Sequence, residues 1–287
     1  DHLNPRSNMV SESYAPRDHV TNRVTMRSEG NMALTDLIAM KQLKNPEFSA
    51  QMAEDEGAFN LVAGKIRSNL VQIKFNNTFS INGLFVRGRC MLVNRHLLTC
   101  MRYSGDPSCR IIGKNINITV PNLLDLVKFE DEEKDVTIIQ FEKGTVSEFS
   151  DIVKHFYNDV EMSRNIGAIQ TGSLPCYNGN PGNDRIDLWH KTCLSLKSHG
   201  PMNVNHGSIG QKYTIVKGWV YNSQTIPGDC GGPLVAHCNS LTAKILGIHA
   251  AGSRGRGFAT AVTCDYLKAH IPKDTFEILA PDLEVQC

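Results

Sequence analysis

The sequence predicts a mostly β protein in which two groups of short strands each build a barrel behind an N-terminal helical extension. Three observations carry this reading. Apolar, strand-like segments recur from Leu70 onward, separated by turn residues. Many short strands at regular spacing suggest a sandwich or barrels. A division near residues 156–163 splits them into two similar sets, so the chain parses into an arm with a short helix (1–55), a first barrel (56–158) and a second (159–287).

Each element follows in order. Residues 1–30 are polar, contain Pro5 and Pro16, and show no apolar period, so a flexible arm is expected. Leu34, Leu37, Ile38 and Lys41 give one helical face that closes at Asn45-Pro46. Phe59, Val62 and Ile66 mark a second helix running into the alternating strand 70–75. Strands are then expected at 81–85, 89–93, 97–101, 116–120 and 136–141. The second set begins near Asn165 and includes 192–196, 213–220, 232–237, 244–250 and 257–262.

Composition narrows the function classes. In 287 residues, 30 Lys and Arg stand against 29 Asp and Glu, so no global field points to nucleic acid. Nine cysteines without a C-x-x-C pair argue against a zinc ribbon and a complete disulfide framework, and fit reduced thiols in a cytosolic protein. No apolar run of membrane-spanning length is present, nor an apolar signal core at the N-terminus. No cofactor or metal is expected.

The informative stretch is T-I-P-G-D-C-G-G-P-L at 225–234. A cysteine in a glycine-dense turn between β-type segments sits beside backbone N–H groups that the glycines can aim at one point. Acyl transfer needs a nucleophile next to such donors. Gly228, Asp229 and Cys230 are the candidate oxyanion donors. Of the ten histidines, His96 is the candidate base, at the turn after an apolar strand. Asp135 leads directly into the V-T-I-I-Q-F strand and could orient the imidazole; Asp131 and Glu133 in the same acidic loop remain alternatives.

These residues resemble the 3C and 3C-like cysteine proteases of picornavirus-like RNA viruses, whose G-x-C-G-G turn is the cysteine counterpart of the G-D-S-G-G turn of chymotrypsin-like enzymes. The match runs over about 57–265 and includes G-A-F at 57, G-L-F-V at 83 and the strand ending in R-H at 96. It implies a chymotrypsin-like double β-barrel with the triad His96, Asp135 and Cys230. The order His, Asp, Cys is that of this fold, whereas papain-like enzymes place the cysteine first. The segment G-I-H-A-A-G at 247–252, followed by G-F-A at 257, is similar to the family's pocket. The resemblance therefore assigns His249 and Thr225 to recognition of a P1 glutamine or glutamate. It leaves Ala250, Ala251 and Gly252 to hold an extended peptide.

The implied function is maturation of a viral polyprotein, with host proteins as further substrates, in the host-cell cytoplasm. The distant character suggests an arthropod dicistrovirus or iflavirus type. RNA binding stays open: Ser150 replaces the arginine of the family's F-R-D-I motif, while Arg87, Arg89 and Arg95 could form a patch. Phe149 and Ile152 read as packing residues, and Arg254 and Arg256 as a solvated hairpin tip. Cys100, Cys238 and Cys264 read as small core residues in strand-like stretches. Two rival classes are an RNA-binding module on the same fold and a structural module with an inert cysteine.

Overall fold

A computed structural model describes residues 9–10, 31–33, 56–75, 79–178, 186–206 and 211–272. The helix expected around Leu34–Lys41 lies outside the described residues. Two short N-terminal strands are β1 (Met9–Val10) and β2 (Asn31–Ala33). Helix α1 (Glu56–Leu61) continues through a π turn (Val62–Ile66) into α2 (Arg67–Asn69). Its apolar residues Phe59, Val62 and Ile66 are buried, as their spacing predicts.

The first sheet contains β3 (Leu70–Phe75), β4 (Phe79–Arg87), β5 (Cys90–Asn94), β6 (Cys109–Gly113), β7 (Ile116–Val120), β8 (Val127–Asp131) and β9 (Val136–Gln140). Its order is β7-β6-β3-β4-β5-β9-β8. Alternation sends Leu84, Val86, Cys90, Leu92, Val136 and Ile138 into one core, shared with α1 and residues of the second barrel. Ile81, Phe85, Met91, Val93 and Ile139 enter the other core, against which Cys230 also packs. Burial on both faces fixes the register, because a one-residue slip would exchange the two cores.

The second half holds β10 (Gly172–Asn178), β11 (Asp187–His199), β12 (Met202–His206), β13 (Gln211–Ile215), β14 (Gly218–Asn222), β15 (Pro233–Ala236), β16 (Ile245–Ser253) and β17 (Arg256–Ala261). Pairing runs β16-β15-β10-β11-β14-β17, and β17 pairs back onto β16, which closes a barrel. Trp219, Tyr221, Leu174 and Leu234 pack in its core. The turn from β16 to β17 has positive φ at Arg254 and Gly255, with both arginines exposed at its tip. The hairpin β12–β13 stands off β16 across a gap that β1 fills, pairing parallel to β12 and antiparallel to β16.

Two expectations are corrected. Residues 97–101 are not a strand but part of helix α3 (Arg95–Ser104). His96, Leu97, Cys100 and Met101 recur on its buried side, and Gly105 at φ 71 ends it with an N–H bond of 3.1 Å to the Met101 carbonyl. A five-residue apolar run cannot distinguish strand from helix, and the glycine was the signal that could have decided it. The second correction concerns the cysteines, which are buried as expected but lie outside strands. Cys100 is in α3, Cys238 follows β15, and Cys264 opens the last helix, α5 (Cys264–His270). Helix α4 (Asp159–Asn165), capped by Asn158, lies at the junction between the two halves.

Candidate active site

The first barrel brings His96 and Asp135 together. β5 and β9 are paired through Asn94 and Val136, so the helix starting at Arg95 and the residue preceding β9 meet at one sheet end. His96 Nδ1 lies 2.7 Å from Asp135 Oδ2, and the His96 N–H donates to Asp135 Oδ1 at 2.8 Å. The Asn94 amide donates to Oδ2 at 3.2 Å, and the Arg95 N–H to the Asp135 carbonyl at 3.1 Å. Asp135 adopts φ 52, a left-handed conformation that aspartate tolerates better than most residues. The two alternatives in the loop are engaged elsewhere. Asp131 accepts from the Tyr266 hydroxyl at 2.9 Å, while Glu133 is exposed and its carbonyl binds the Val216 N–H.

His96 is only 3% exposed, and burial pulls its pKa down. The charge and hydrogen bond of Asp135, with smaller contributions from the hydrogen bond and charge of Cys230, overcome this and raise it from 6.5 to about 10. The Cys230 side chain is thus within hydrogen-bonding reach of His96, and its thiol donates to the Ala250 carbonyl at 3.3 Å.

Sequence reasoning missed three groups around this site. Tyr213 on β13 places its hydroxyl 3.3 Å from His96 Nδ1 and 3.5 Å from Asp135 Oδ2. Asn82 on β4, fully buried, clamps the cysteine turn from the opposite barrel. Its backbone N–H donates to the Cys230 carbonyl at 2.7 Å and its side-chain amide to the Gly228 carbonyl at 2.9 Å, while its side-chain Oδ1 accepts from Tyr177 N–H at 2.7 Å. The third is Lys191, ion-paired with Asp229.

The turn itself needs its glycines. Gly231 has φ 84, and a Cβ there would stand 1.8 Å from the Asn82 carbonyl oxygen. Gly228 has φ 104. The expectation that Asp229 supplies an oxyanion donor is corrected: its N–H closes a tight turn onto the Ile226 carbonyl at 3.1 Å.

The pocket residues lie in the second barrel. His249 is fully buried in β16, with Nδ1 2.6 Å from the hydroxyl of Tyr221, also fully buried. Its backbone holds the turn from the other side, since Gly231 N–H donates to the His249 carbonyl and His249 N–H to the Gly232 carbonyl, each at 2.8 Å. Thr225 is half-buried in the loop leading to Cys230, with its N–H on the Ser223 carbonyl. Ala250, Ala251 and Gly252 continue along β16, and Val10 of β1 pairs with Gly252.

Two largely antiparallel β units, one carrying a histidine–aspartate pair and the other a glycine-framed cysteine turn, have the layout of the chymotrypsin-like protease fold. The fold is shared with the tobacco etch virus protease (TM-score 0.50, 17% identity, 73% of this chain and 80% of that one) and the tobacco vein mottling virus protease (0.50, 15%, 72% and 82%). The sequence model of the Tungro spherical virus-type peptidases matches residues 197–276. Over 228 residues the chain is 31% identical to the replicase polyprotein of acute bee paralysis virus, covering 76% of this chain and 12% of that protein. It is 26% identical over 226 residues to the genome polyprotein of human hepatitis A virus (genotype IIB), covering 70% and 9%. The chain thus spans about a tenth of these relatives' length. It belongs to the picornavirus-like 3C cysteine proteases.

Proposed function

We propose that the chain cleaves a viral polyprotein after glutamine, or glutamate, with Cys230 as nucleophile, His96 as acid–base and Asp135 as the group that orients it. The observation that carries this is the 2.7 Å contact of His96 Nδ1 with Asp135, made by a histidine that also interacts with the Cys230 side chain. His96 takes the thiol proton, and the thiolate attacks the carbonyl after P1. The N–H groups of Cys230 and Gly228 face the oxyanion, the donors left once Asp229 is spent within the turn. His96 then gives its proton to the leaving amine, and water hydrolyses the thioester to free acid and thiol.

Pocket chemistry supports the P1 preference. With Tyr221 donating to Nδ1, the His249 proton resides on Nε2 and can donate to a side-chain carbonyl. An apolar P1 residue would offer that donor no acceptor, which is how such a site discriminates. Extended peptides are proposed to enter as a strand between β12 and β16. The chain's own Met9–Val10 strand takes that position, so both edges accept backbone pairing. We place the activity in the host-cell cytoplasm. An RNA-binding role has less support, because Arg87 is paired with Asp151 and Arg95 with Glu130 and Glu132.

A randomised peptide library cut by wild type and by Cys230→Ala tests the reading. Cuts after Gln or Glu by wild type alone are expected. Cuts after other residues would remove the His249 argument, and cuts by the folded alanine variant would remove Cys230.

A further inference from the structure

Lys191 lies near the middle of β11, 1% exposed, in register with Leu174 of β10. A lysine ammonium this deep in a barrel is costly without a charged partner. Its Nζ bonds Asp229 Oδ2, and that carboxylate is itself 1% exposed. The same oxygen accepts the Ile226 N–H at 2.7 Å, and Oδ1 accepts from the Cys176 thiol at 3.2 Å. Burial, then the Asp229 charge, holds the Cys176 pKa well up, so that thiol keeps the proton it donates.

This places the far side of the cysteine turn under the control of one charge on the barrel wall. Asp229 lies between Gly228 and Cys230, whose amides are the oxyanion donors proposed above. Rotation of the Asp229–Cys230 peptide unit would swing the Cys230 amide, and loosening the turn that Asp229 closes onto Ile226 would shift the Gly228 amide carried within it. The carboxylate fixes the turn at Ile226, and Lys191 fixes the carboxylate. From that geometry we propose that Lys191 is a positioning residue for catalysis: it never touches substrate, but its ion pair with Asp229 sets the oxyanion donors and the Cys230 backbone in reactive orientation. The proposal rests on the reading of Cys230 as nucleophile. It goes beyond that reading in assigning the alignment of the turn to a cation of the second barrel.

The test is a cycle of Lys191→Met, Asp229→Asn and the double variant. It measures kcat and KM on a P1-glutamine peptide per folded molecule, and hydrogen exchange of residues 226–232. Removing the cation alone leaves a carboxylate buried without its counter-charge, whereas removing both charges leaves a neutral pair that a packed interior accommodates. Lys191→Met is expected to lose about 100-fold in kcat with KM within about twofold, because misplacement of a reacting group acts on the transition state. Exchange in the turn speeds up in the same variant. The double variant recovers at least tenfold in kcat and regains slow exchange. Should Lys191→Met not fold, Asp229→Asn stands in for it, with the same loss and the same rescue. Unchanged kcat per folded molecule, a loss confined to KM, or unaltered exchange would overturn the proposal. If wild type cleaves nothing, exchange alone decides: a turn loosened by Lys191→Met and restored in the double variant keeps the positioning role while the protease reading falls.

Discussion

His96 and His190 are both buried, at 3% and 4% exposure, yet their imidazoles are driven in opposite directions. Burial and the neighbouring His237 push the pKa of His190 down to about 3, leaving it neutral. For His96, the same burial is outweighed by Asp135 and Cys230, and the pKa rises to about 10. Burial therefore does not decide what a histidine does in this molecule. Its partner decides. His249 makes the third case: it is fully buried against the uncharged Tyr221 hydroxyl, 2.6 Å from Nδ1.

The largest effect expected from breaking this comparison is at Asp135. Asp135→Asn keeps a side chain that tolerates the left-handed backbone and still accepts the His96 N–H. It removes the charge, so His96 behaves like His190 and its pKa falls. Activity on a P1-glutamine peptide drops about 10³- to 10⁴-fold, measured as kcat/KM. Next is Tyr221→Phe, which removes the hydroxyl bonded to His249 Nδ1 and with it one constraint on the tautomer. Loss of one buried hydrogen bond predicts roughly a 10- to 100-fold fall in kcat/KM for glutamine peptides, and a smaller fall for peptides with apolar P1 residues.

A third prediction concerns pH and follows from the sign of the His96 shift. Its folded pKa lies above the unfolded value, so the folded state binds the proton more tightly. The stability this contributes is complete below pH 6.5 and is lost as pH rises through about 10. Urea midpoints of wild type should fall over that interval more steeply than those of Asp135→Asn. Parallel curves would contradict the assigned shift. The smallest effect is expected at Tyr213, whose hydroxyl makes only long contacts of 3.3 and 3.5 Å to the pair. Tyr213→Phe should change kcat by no more than about threefold. A loss as large as that of Asp135→Asn would make Tyr213 a full member of the site.

What was legible in the sequence shares one property: the signal was local. Cys230 is framed by glycines, His96 follows an apolar strand, and Asp135 immediately precedes another. That the three belong to one site was implied by the resemblance of these motifs to the 3C proteases, not by any one of them alone. The mostly β, chymotrypsin-like fold was legible through the spacing of short strands and the resemblance, and the buried helix at Phe59–Ile66 through its periodicity. Asn82, Lys191, Tyr213 and Tyr221 were not, since each acts on a residue distant in sequence and sits in an ordinary strand. Lys191 in particular, within D-L-W-H-K-T-C, looks like the solvent-facing member of an alternating strand. Only the fold shows that it meets Asp229. Asp229 was read through its backbone, whereas the structure uses its side chain. The helix after β5 was misread because five apolar residues satisfy either period.

The central claim is that Cys230, served by the Asp135-paired His96, forms a covalent acyl-enzyme with a peptide cut after glutamine. Rapid mixing with such a peptide, acid quenching and peptide mapping by mass spectrometry would test it directly. The account predicts that the N-terminal half of the substrate is carried as a thioester on the fragment containing Cys230, in wild type and not in Cys230→Ala. Cleavage proceeding with no adduct, or with the adduct on another residue, would contradict it.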